Sequence, residues 1–213
     1  MDVRPFLVPV LVTMHILPRS FYLGHDVVQI ARETLGKYLV TSIDGLITAG
    51  MICETEAYAG ESDRASHAFG GRRSARTKVM YEPGGTAYVY LCYGIHSLFN
   101  IVTNEQDIPH AVLIRGIIPK EGTDIMLGRI GKKTLNHKTG IGPGRVSSLL
   151  GIHYSHSGID LTKRSFSNEF GIWLEDRGEK VTAGDILQGP RIGVDYAGED
   201  SLLPYRFRLQ GTL

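Results

Sequence analysis

The chain has 213 residues, of which 42% are hydrophobic, 21% are charged and 26 are glycine. This length suits one domain with a substantial core, and the composition excludes a disordered chain. The formal net charge of +1 argues on average against a nucleic-acid-binding protein, but charge is unevenly spread: residues 125–159 contain no acidic side chain, whereas acids are frequent in residues 169–200.

The N-terminal segment contains a long apolar run. Residues 6–17 read FLVPVLVTMHIL, include Pro9 and follow Asp2 and Arg4. The run fits neither a membrane span nor a signal peptide with a small-residue cleavage site. We interpret residues 1–16 as an N-terminal arm that packs on a single domain of residues 17–213.

The segments that follow combine few helix patterns with many strand patterns. Apolar residues at helical spacing run from an Asp26 cap to Gly36, and residues 37–43 and 45–58 predict two strands joined at Asp44-Gly45. Further strands are predicted in residues 86–103 and 110–119 and near residues 171–175, 191–195 and 205–209, and helices in residues 121–133 and 142–150. Regular βαβ alternation is missing, so the pattern indicates a mixed domain and not a doubly wound sheet.

Two carboxylates stand at the end of the second predicted strand, in the sequence Glu54-Thr55-Glu56-Ala57-Tyr58. Because side chains alternate across a strand, Glu54, Glu56 and Tyr58 share one face. Carboxylates rarely enter a core unpaired, so a purely structural strand seldom ends this way. The spacing alone favours a solvated strand end in which Glu56 pairs with a following arginine, and a catalytic base is the alternative.

The sequence around these carboxylates favours a functional site over a solvated strand end. The loop of residues 59–83 exceeds the usual connector length, which favours a functional loop, and its residues 70–78 are basic and free of acids. An aromatic strand, YVYLCYG, follows at residues 88–94. A carboxylate, an aromatic row and a positive rim are typical of a site that stacks a flat base and holds a phosphate backbone.

Several residues keep two interpretations at this point. Arg115 lies inside an apolar run and needs a partner, which could be a carboxylate, a phosphate or a catalytic water. Asn100 is by default a hydrogen-bonded buried amide, His67 a surface residue of its loop, and Tyr88 a core aromatic. Their sequence positions alone do not decide between structure and function.

Cofactor signals are weak. Cys53 and Cys92 are too few for a disulfide framework or a cysteine-rich zinc site, which favours a reduced cytoplasmic setting. The eight histidines include no His-Glu-x-x-His motif, and His153-x-x-His156 is better explained as surface loop. We therefore predict no metal and no cofactor.

The sequence resembles the alkyladenine (3-methyladenine) DNA glycosylase family of the mammalian and bacterial type. The matching stretches are Leu35-Gly36-Lys37, Glu54-Thr55-Glu56-Ala57-Tyr58, His67, Gly70-Gly71-Arg72, Pro83-Gly84, Tyr88-Val89-Tyr90, Tyr93-Gly94, Asn100-Ile101, Leu113-Ile114-Arg115, Gly142-Pro143 and Arg191-Ile192-Gly193-Val194. They cover roughly residues 17–209 in unbroken order. The resemblance implies an α+β fold, a single mixed domain with a curved antiparallel β core, flanking helices and a DNA-binding β-hairpin.

The resemblance also implies a role for individual residues. Glu56 would be the general base, with Arg115 near the phosphate and the attacking water. The pocket for the flipped base would be formed by Tyr58, His67, Tyr90, Asn100 and Ile192, with Asn100 where a purine's 2-amino group must pass. Tyr93 would intercalate in the duplex, and the DNA backbone would be held by Arg72, Arg76, Lys78 and Arg145. Ile95, His96 and residues 105–109 depart from the mammalian branch.

The implied activity is that of a monofunctional DNA glycosylase. It would flip alkylated or deaminated purines out of double-stranded DNA and hydrolyse the N-glycosidic bond, which initiates base excision repair. It would act as a monomer, without a membrane, in the bacterial cytoplasm at the nucleoid or in a eukaryotic nucleus. Two rivals stay open: a non-catalytic nucleic-acid-binding module, and a sugar glycosidase with Glu54 and Glu56 as its acid and base.

Overall fold

The structure is a computed structural model that describes residues 15–164 and 170–212. Residues 1–14 of the predicted N-terminal arm lie outside the described residues. His15–Ile16 forms strand β1, which pairs with residues 175–176, and Leu17 is buried. The described end of the predicted arm is therefore part of the sheet.

The described part of the chain contains nine strands and four α-helices, with short 3-10 turns between them. The other strands are β2 (Tyr38–Ile43), β3 (Leu46–Tyr58), β4 (Ala87–Cys92), β5 (His96–Thr103), β6 (His110–Glu121), β7 (Gly171–Asp176), β8 (Ile186–Gly189) and β9 (Arg206–Leu209). The helices are α1 (Arg19–Tyr22), α2 (Val27–Glu33), α3 (Thr123–Arg129) and α4 (Pro143–Leu150). The predicted α+β class is confirmed.

The strands form one curled antiparallel sheet in the order β1-β7-β2-β3-β6-β5-β4, with β9 joining β3 to β8. Strand β3 is its centre. One edge of β3 pairs with β6, while the other pairs with β2 in its first half and with β9 at residues 54–56. The backbone of β3 is therefore paired on both edges at the two carboxylates, and both side chains are buried.

Helix α2 follows the predicted pattern and covers the sheet. The Asp26 carboxylate accepts hydrogen bonds from the backbone N–H groups of Val28 and Gln29 at 2.9 and 3.1 Å, which satisfies two of the free donors of the first turn. Gly36 follows the helix at φ +79°, a backbone conformation that glycine adopts without strain. The apolar face of the helix joins the main core, which also takes residues from β3, β5, β6 and α4.

Two predicted elements differ from the structure. The predicted strand near residues 191–195 is wrong: the strand of this region is β8, and residues 190–194 form a loop. Pro190 lacks a backbone N–H for pairing, and Gly193 has a φ of +76°, so the extended ladder ends here. The predicted helix of residues 121–133 is shorter, because Gly122 and Gly131 both have positive φ and bound α3.

Candidate active site

A cavity opens between the end of β3, the β4–β5 hairpin, the loop that carries His67 and the loop of residues 190–196. Its volume is about 190 Å³, below the roughly 300–1,000 Å³ of pockets for drug-sized ligands, so it suits a single ring system. Seven predicted site residues line it: Tyr58, His67, Tyr90, Tyr93, Asn100, Arg115 and Ile192. Five lie outside its wall: Glu56, Arg72, Arg76, Lys78 and Arg145.

Glu56 lies directly behind this wall, with 0% of its surface exposed. The Tyr58 hydroxyl donates to Oε2 and the backbone N–H of Ile192 donates to Oε1, both at 2.8 Å. Both donors belong to residues that line the cavity. Burial raises the pKa of the Glu56 carboxyl, against the lowering effects of Arg115 and these two hydrogen bonds.

Arg115 stands between the two carboxylates of β3. Its Nε atom lies 3.4 Å from Oε1 of Glu54 and 3.4 Å from Oε1 of Glu56, yet it has no hydrogen-bond partner among the described residues. Arg206 donates to Glu54 Oε1 at 3.1 Å. Two arginines thus balance two buried carboxylates, and the Glu56–Arg115 contact is electrostatic and not a directed hydrogen bond.

A second buried ion pair, Asp63–Arg191, packs against Tyr58 and does not itself line the cavity. Arg191 pairs with both carboxylate oxygens of Asp63, and both side chains are buried. The guanidinium also donates to the Ala57 carbonyl at 2.9 Å and lies 4.8 Å from the ring centre of Tyr58. Since Arg191 directly precedes Ile192, this pair fixes the loop whose N–H holds Glu56.

Aromatic rings form the opposite wall. The ring centres of His67 and Tyr90 are 4.7 Å apart, those of Tyr88 and Tyr90 are 5.5 Å apart, and His67 Nδ1 lies 2.9 Å from the Tyr88 hydroxyl. Burial, followed by the charges of Arg76 and Arg72, lowers the pKa of His67 to about 4. The imidazole is therefore neutral at pH 7. Tyr88 is buried as predicted, but it also lines the cavity.

The β4–β5 hairpin contributes Asn100, from within β5, and Tyr93, from its turn, to the lining of the cavity. The buried Asn100 amide donates to the carbonyls of Tyr88 and Leu98 at 3.1 and 3.3 Å. Tyr93 begins the hairpin turn at φ +51°, with Gly94 at φ +72°, and 92% of its surface is exposed. The turn therefore presents an aromatic ring outward at the mouth of the cavity.

Comparison with known proteins gives the family. A family model described as methylpurine-DNA glycosylase (MPG) matches residues 20–213. The chain belongs to this family. Proteins provisionally named 3-methyladenine DNA glycosylase are 46% identical in Chlamydia felis, over 91% of this chain and 95% of the relative, and 38% identical in Clostridium acetobutylicum, over 92% and 95%.

The protein is thus a DNA N-glycosylase of the methylpurine-DNA glycosylase family. Neither rival from the sequence, a binding module without catalysis or a sugar glycosidase, fits this membership. The geometry also separates the two carboxylates: Glu54 is paired with Arg206 and Arg115, whereas Glu56 accepts hydrogen bonds from two residues that line the cavity. The described residues contain no three-residue His, Cys, Asp or Glu group placed for a metal, and no helix among them could cross a membrane.

The basic residues predicted to hold the DNA backbone are distributed around the cavity. Arg72 and Lys78 are exposed on the loop that carries His67, and Arg145 is exposed in the first turn of α4. Arg76 is different: its Nη2 lies 2.8 Å from His67 Nε2, and its Cζ lies 4.7 Å from the ring centre of Tyr90. All four cations are therefore exposed to solvent, and Arg76 in addition packs on the aromatic wall.

Sequence reasoning assigned no role to three residues of the site. Asp63 and Arg191 form the buried pair behind Tyr58, and no periodic pattern links positions so far apart. Tyr196 lines the cavity, is 69% exposed and donates from its hydroxyl to the Ala65 carbonyl at 3.0 Å. The sequence signal available for Tyr196 was an aromatic residue close to Ile192 in the chain.

Proposed function

We propose that the protein removes alkylated or deaminated purines, 3-methyladenine among them, from double-stranded DNA by hydrolysis of the N-glycosidic bond. The substrate follows the name that its bacterial relatives carry. One observation carries the mechanism: the Glu56 carboxylate lies behind the wall of a ring-sized cavity, held by two groups of that wall. A water that enters beside Ile192 and Tyr58 would meet this carboxylate first.

In the proposed reaction, water attacks C1′ of the deoxyribose while the bond from C1′ to the purine nitrogen breaks. The water oxygen bonds to C1′, one water proton passes to Glu56, and the electrons of the broken bond leave with the base. Purines alkylated at N3 or N7 carry a positive charge that their departure neutralises, so little help from an acid is needed. General base catalysis of this kind typically contributes about 10²–10⁴-fold.

Glu56 keeps the capacity for this role despite its partners. A carboxylate has about four lone-pair sites, and the protein supplies hydrogen bonds to two of them, one on each oxygen. The positive charge that develops on the sugar is stabilised by the carboxylate, and Arg115 lies where it can orient the water or a phosphate of the extruded nucleotide. We assign Glu56 and Arg115 as the catalytic residues on this basis.

The target bond lies inside the duplex, so the nucleotide must be rotated out at a cost of a few kcal/mol. Tyr93, exposed at the hairpin tip, would fill the vacated space. Stacking of the base on Tyr58, His67 and Tyr90 would offset the cost at about 1–3 kcal/mol per aromatic contact. Asn100 and Ile192 complete the pocket, with Asn100 opposing the 2-amino group of guanine.

The partner of this reaction is one DNA duplex, and one monomer suffices for one lesion. Arg72, Lys78 and Arg145 would hold the phosphates, and the chemistry described above requires no cofactor. Since the substrate is DNA and the relatives named above are bacterial, we propose a cytoplasmic, nucleoid-associated location. Release of the base would leave an abasic site and so begin base excision repair.

Glu56→Gln tests the proposed mechanism. The amide keeps the shape of the side chain but cannot accept the proton, so we expect lesion-containing duplex to be bound normally and base release to fall by at least about 10²-fold. Single-turnover release of 3-methyladenine and hypoxanthine, together with duplex binding, would be measured with EDTA present.

Glu175→Gln is the matched control. Glu175 is also a buried carboxylate paired with an arginine, Arg177, but it lies on β7 and does not line the cavity. This variant should release bases at the unmodified rate. Full excision by Glu56→Gln would reject Glu56 as the base.

A further inference from the structure

Arg76 places a positive charge against the aromatic wall of the base pocket. Its Nη2 lies within 3.2 Å of both ring nitrogens of His67, and its Cζ lies 4.7 Å from the ring centre of Tyr90. Both rings line the cavity, whereas Arg76 does not. The guanidinium therefore contacts the wall from outside the space that a base would fill.

No carboxylate compensates this charge within the described part of the chain. Arg76 is in none of the ion pairs that residues 15–164 and 170–212 form with one another. Other arginines that cover tyrosine rings are paired: Arg191 with Asp63, and Arg73, 3.8 Å from the ring centre of Tyr81, with Asp107. The charge at the base pocket is thus unusual among these contacts.

We infer that Arg76 is a specificity-determining residue that favours neutral damaged bases over cationic ones. A cation bound to an aromatic ring weakens the electrostatic attraction of that ring for a second cation. The guanidinium and a cationic base also repel each other through the pocket wall, because their charges have the same sign. A neutral base meets neither penalty. The inference rests on the proposed function and adds a preference between two classes of its substrates.

The protonation of His67 agrees with this arrangement. Arg76 can only donate, so His67 Nε2, at 2.8 Å, accepts, and the ring proton is assigned to Nδ1, which faces the Tyr88 hydroxyl. The neutral imidazole adds no second positive charge to the wall. Arg76 is therefore the charged group of this wall, and its removal should leave a wall of neutral aromatic rings.

The experiment compares two bases in the same DNA. Duplexes of one sequence carry either hypoxanthine, which is neutral, or 7-methylguanine, which is cationic, and both are incubated together with excess enzyme. Arg76→Met should shift the ratio of the release rates toward 7-methylguanine by about three- to tenfold. Arg76→Lys, which retains the charge, should keep the ratio within about twofold of the unmodified value. A loss of backbone contact affects both duplexes equally and cancels in the ratio.

Arg73→Met is the matched control, because Arg73 covers a tyrosine of the same loop that does not line the cavity. Its ratio should equal that of the unmodified enzyme. An unchanged ratio in Arg76→Met, or an equal shift in Arg73→Met, would overturn the inference while the proposed function stands. Release of neither base by the unmodified enzyme would reject the proposed function and the inference together.

Discussion

Folding buries the ionisable side chain of Glu56 completely, and it also supplies the carboxylate with a positive charge and two hydrogen-bond donors. Desolvation raises the pKa of its carboxyl, and the charge of Arg115 and the hydrogen bonds from Ile192 and Tyr58 act in the opposite direction. The result is a carboxylate that is easier to protonate than an exposed glutamate but is still stabilised as an anion. A general base benefits from such a raised pKa, because it holds an accepted proton more firmly.

At the same scale, Tyr58→Phe should move the acid limb of the pH–rate profile to higher pH. As a base, Glu56 acts when ionised, so the excision rate falls as the pH drops through its pKa. The Tyr58 hydroxyl donates to the ionised carboxylate and lowers that pKa, so its loss raises the pKa further. The profile would be measured from single-turnover rates on hypoxanthine-containing duplex. The aromatic ring remains, so stacking is retained.

Tyr81→Phe serves as the comparison for this experiment. The Tyr81 hydroxyl also donates to a carboxylate, that of Glu61, at 3.1 Å, but neither residue lines the cavity. Its acid limb should coincide with that of the unmodified enzyme. An acid limb of Tyr58→Phe that stays in place or moves to lower pH would contradict the assignment of Glu56.

Individual residues were predictable where a local pattern or the family resemblance marked them. Alternation along a strand predicted that Glu54 and Glu56 share one face, and both lie 3.4 Å from Arg115. The interpretation of a solvated strand end is wrong, because both carboxylates are buried, but its arginine partner for Glu56 is present. Asp63 and Arg191 were not predictable as partners, because the two side chains meet only through the tertiary fold. Their roles, like those of the other site residues, stay proposals.

At the scale of elements, the loop of residues 190–194 shows why a strand pattern failed. Residues 191–195 read RIGVD and alternate like a strand, but Arg191 turns inward to Asp63 and Gly193 takes a positive φ. A buried ion pair outweighs the weak strand preference of so short a segment. The loop thereby directs the Ile192 N–H at Glu56, which a regular strand paired on both edges would have used in its ladder.

Asp63→Asn tests this positioning role. The change removes the charge that fixes Arg191, so the loop should loosen and the Ile192 N–H should no longer hold Glu56 in place. We expect the single-turnover excision rate to fall about ten- to hundredfold, with the acid limb displaced to higher pH because a hydrogen bond to the anion is lost. Breaking a buried pair also costs roughly 3–5 kcal/mol of stability, so folding would be verified by circular dichroism at the assay temperature.

Glu175→Gln separates positioning from stability. It breaks the buried Glu175–Arg177 pair, whose closest atoms are 2.7 Å apart, on a strand that does not border the cavity. We expect a comparable loss of stability but an unchanged excision rate and pH profile. Should Asp63→Asn retain both rate and profile while folded, the Asp63–Arg191 pair would be structural only.

For the whole molecule, the sequence predicted which segments form strands better than how they pair. The pairing of β3 with β9 joins residues 54–56 to residues 206–208, and it brings Arg206 to the Glu54 carboxylate. No local signal specifies such a distant partner. The acidic stretch also contributes to the site through tertiary contacts: the Asp200 carboxylate accepts a hydrogen bond from the backbone N–H of Arg64, and its carbonyl accepts one from Arg191 beside the cavity.

Because net charge is nearly zero, DNA binding must depend on local cations, and its salt dependence should count them. Each phosphate contact contributes a slope of about −0.9 to the plot of log binding constant against log salt concentration.

Arg72, Lys78 and Arg145 should together give a slope near −3 with lesion-containing duplex, and Arg145→Gln should reduce its magnitude by about 1. Arg145 stands in the first turn of α4 and borders a depression shared with Tyr93, so a phosphate bound beside the Tyr93 ring would be within its reach. Lys180→Gln changes an exposed lysine between β7 and β8, outside the segments that line the cavity, and should leave the slope unchanged. Equal slopes for Arg145→Gln and the unmodified glycosylase would remove Arg145 from the DNA interface.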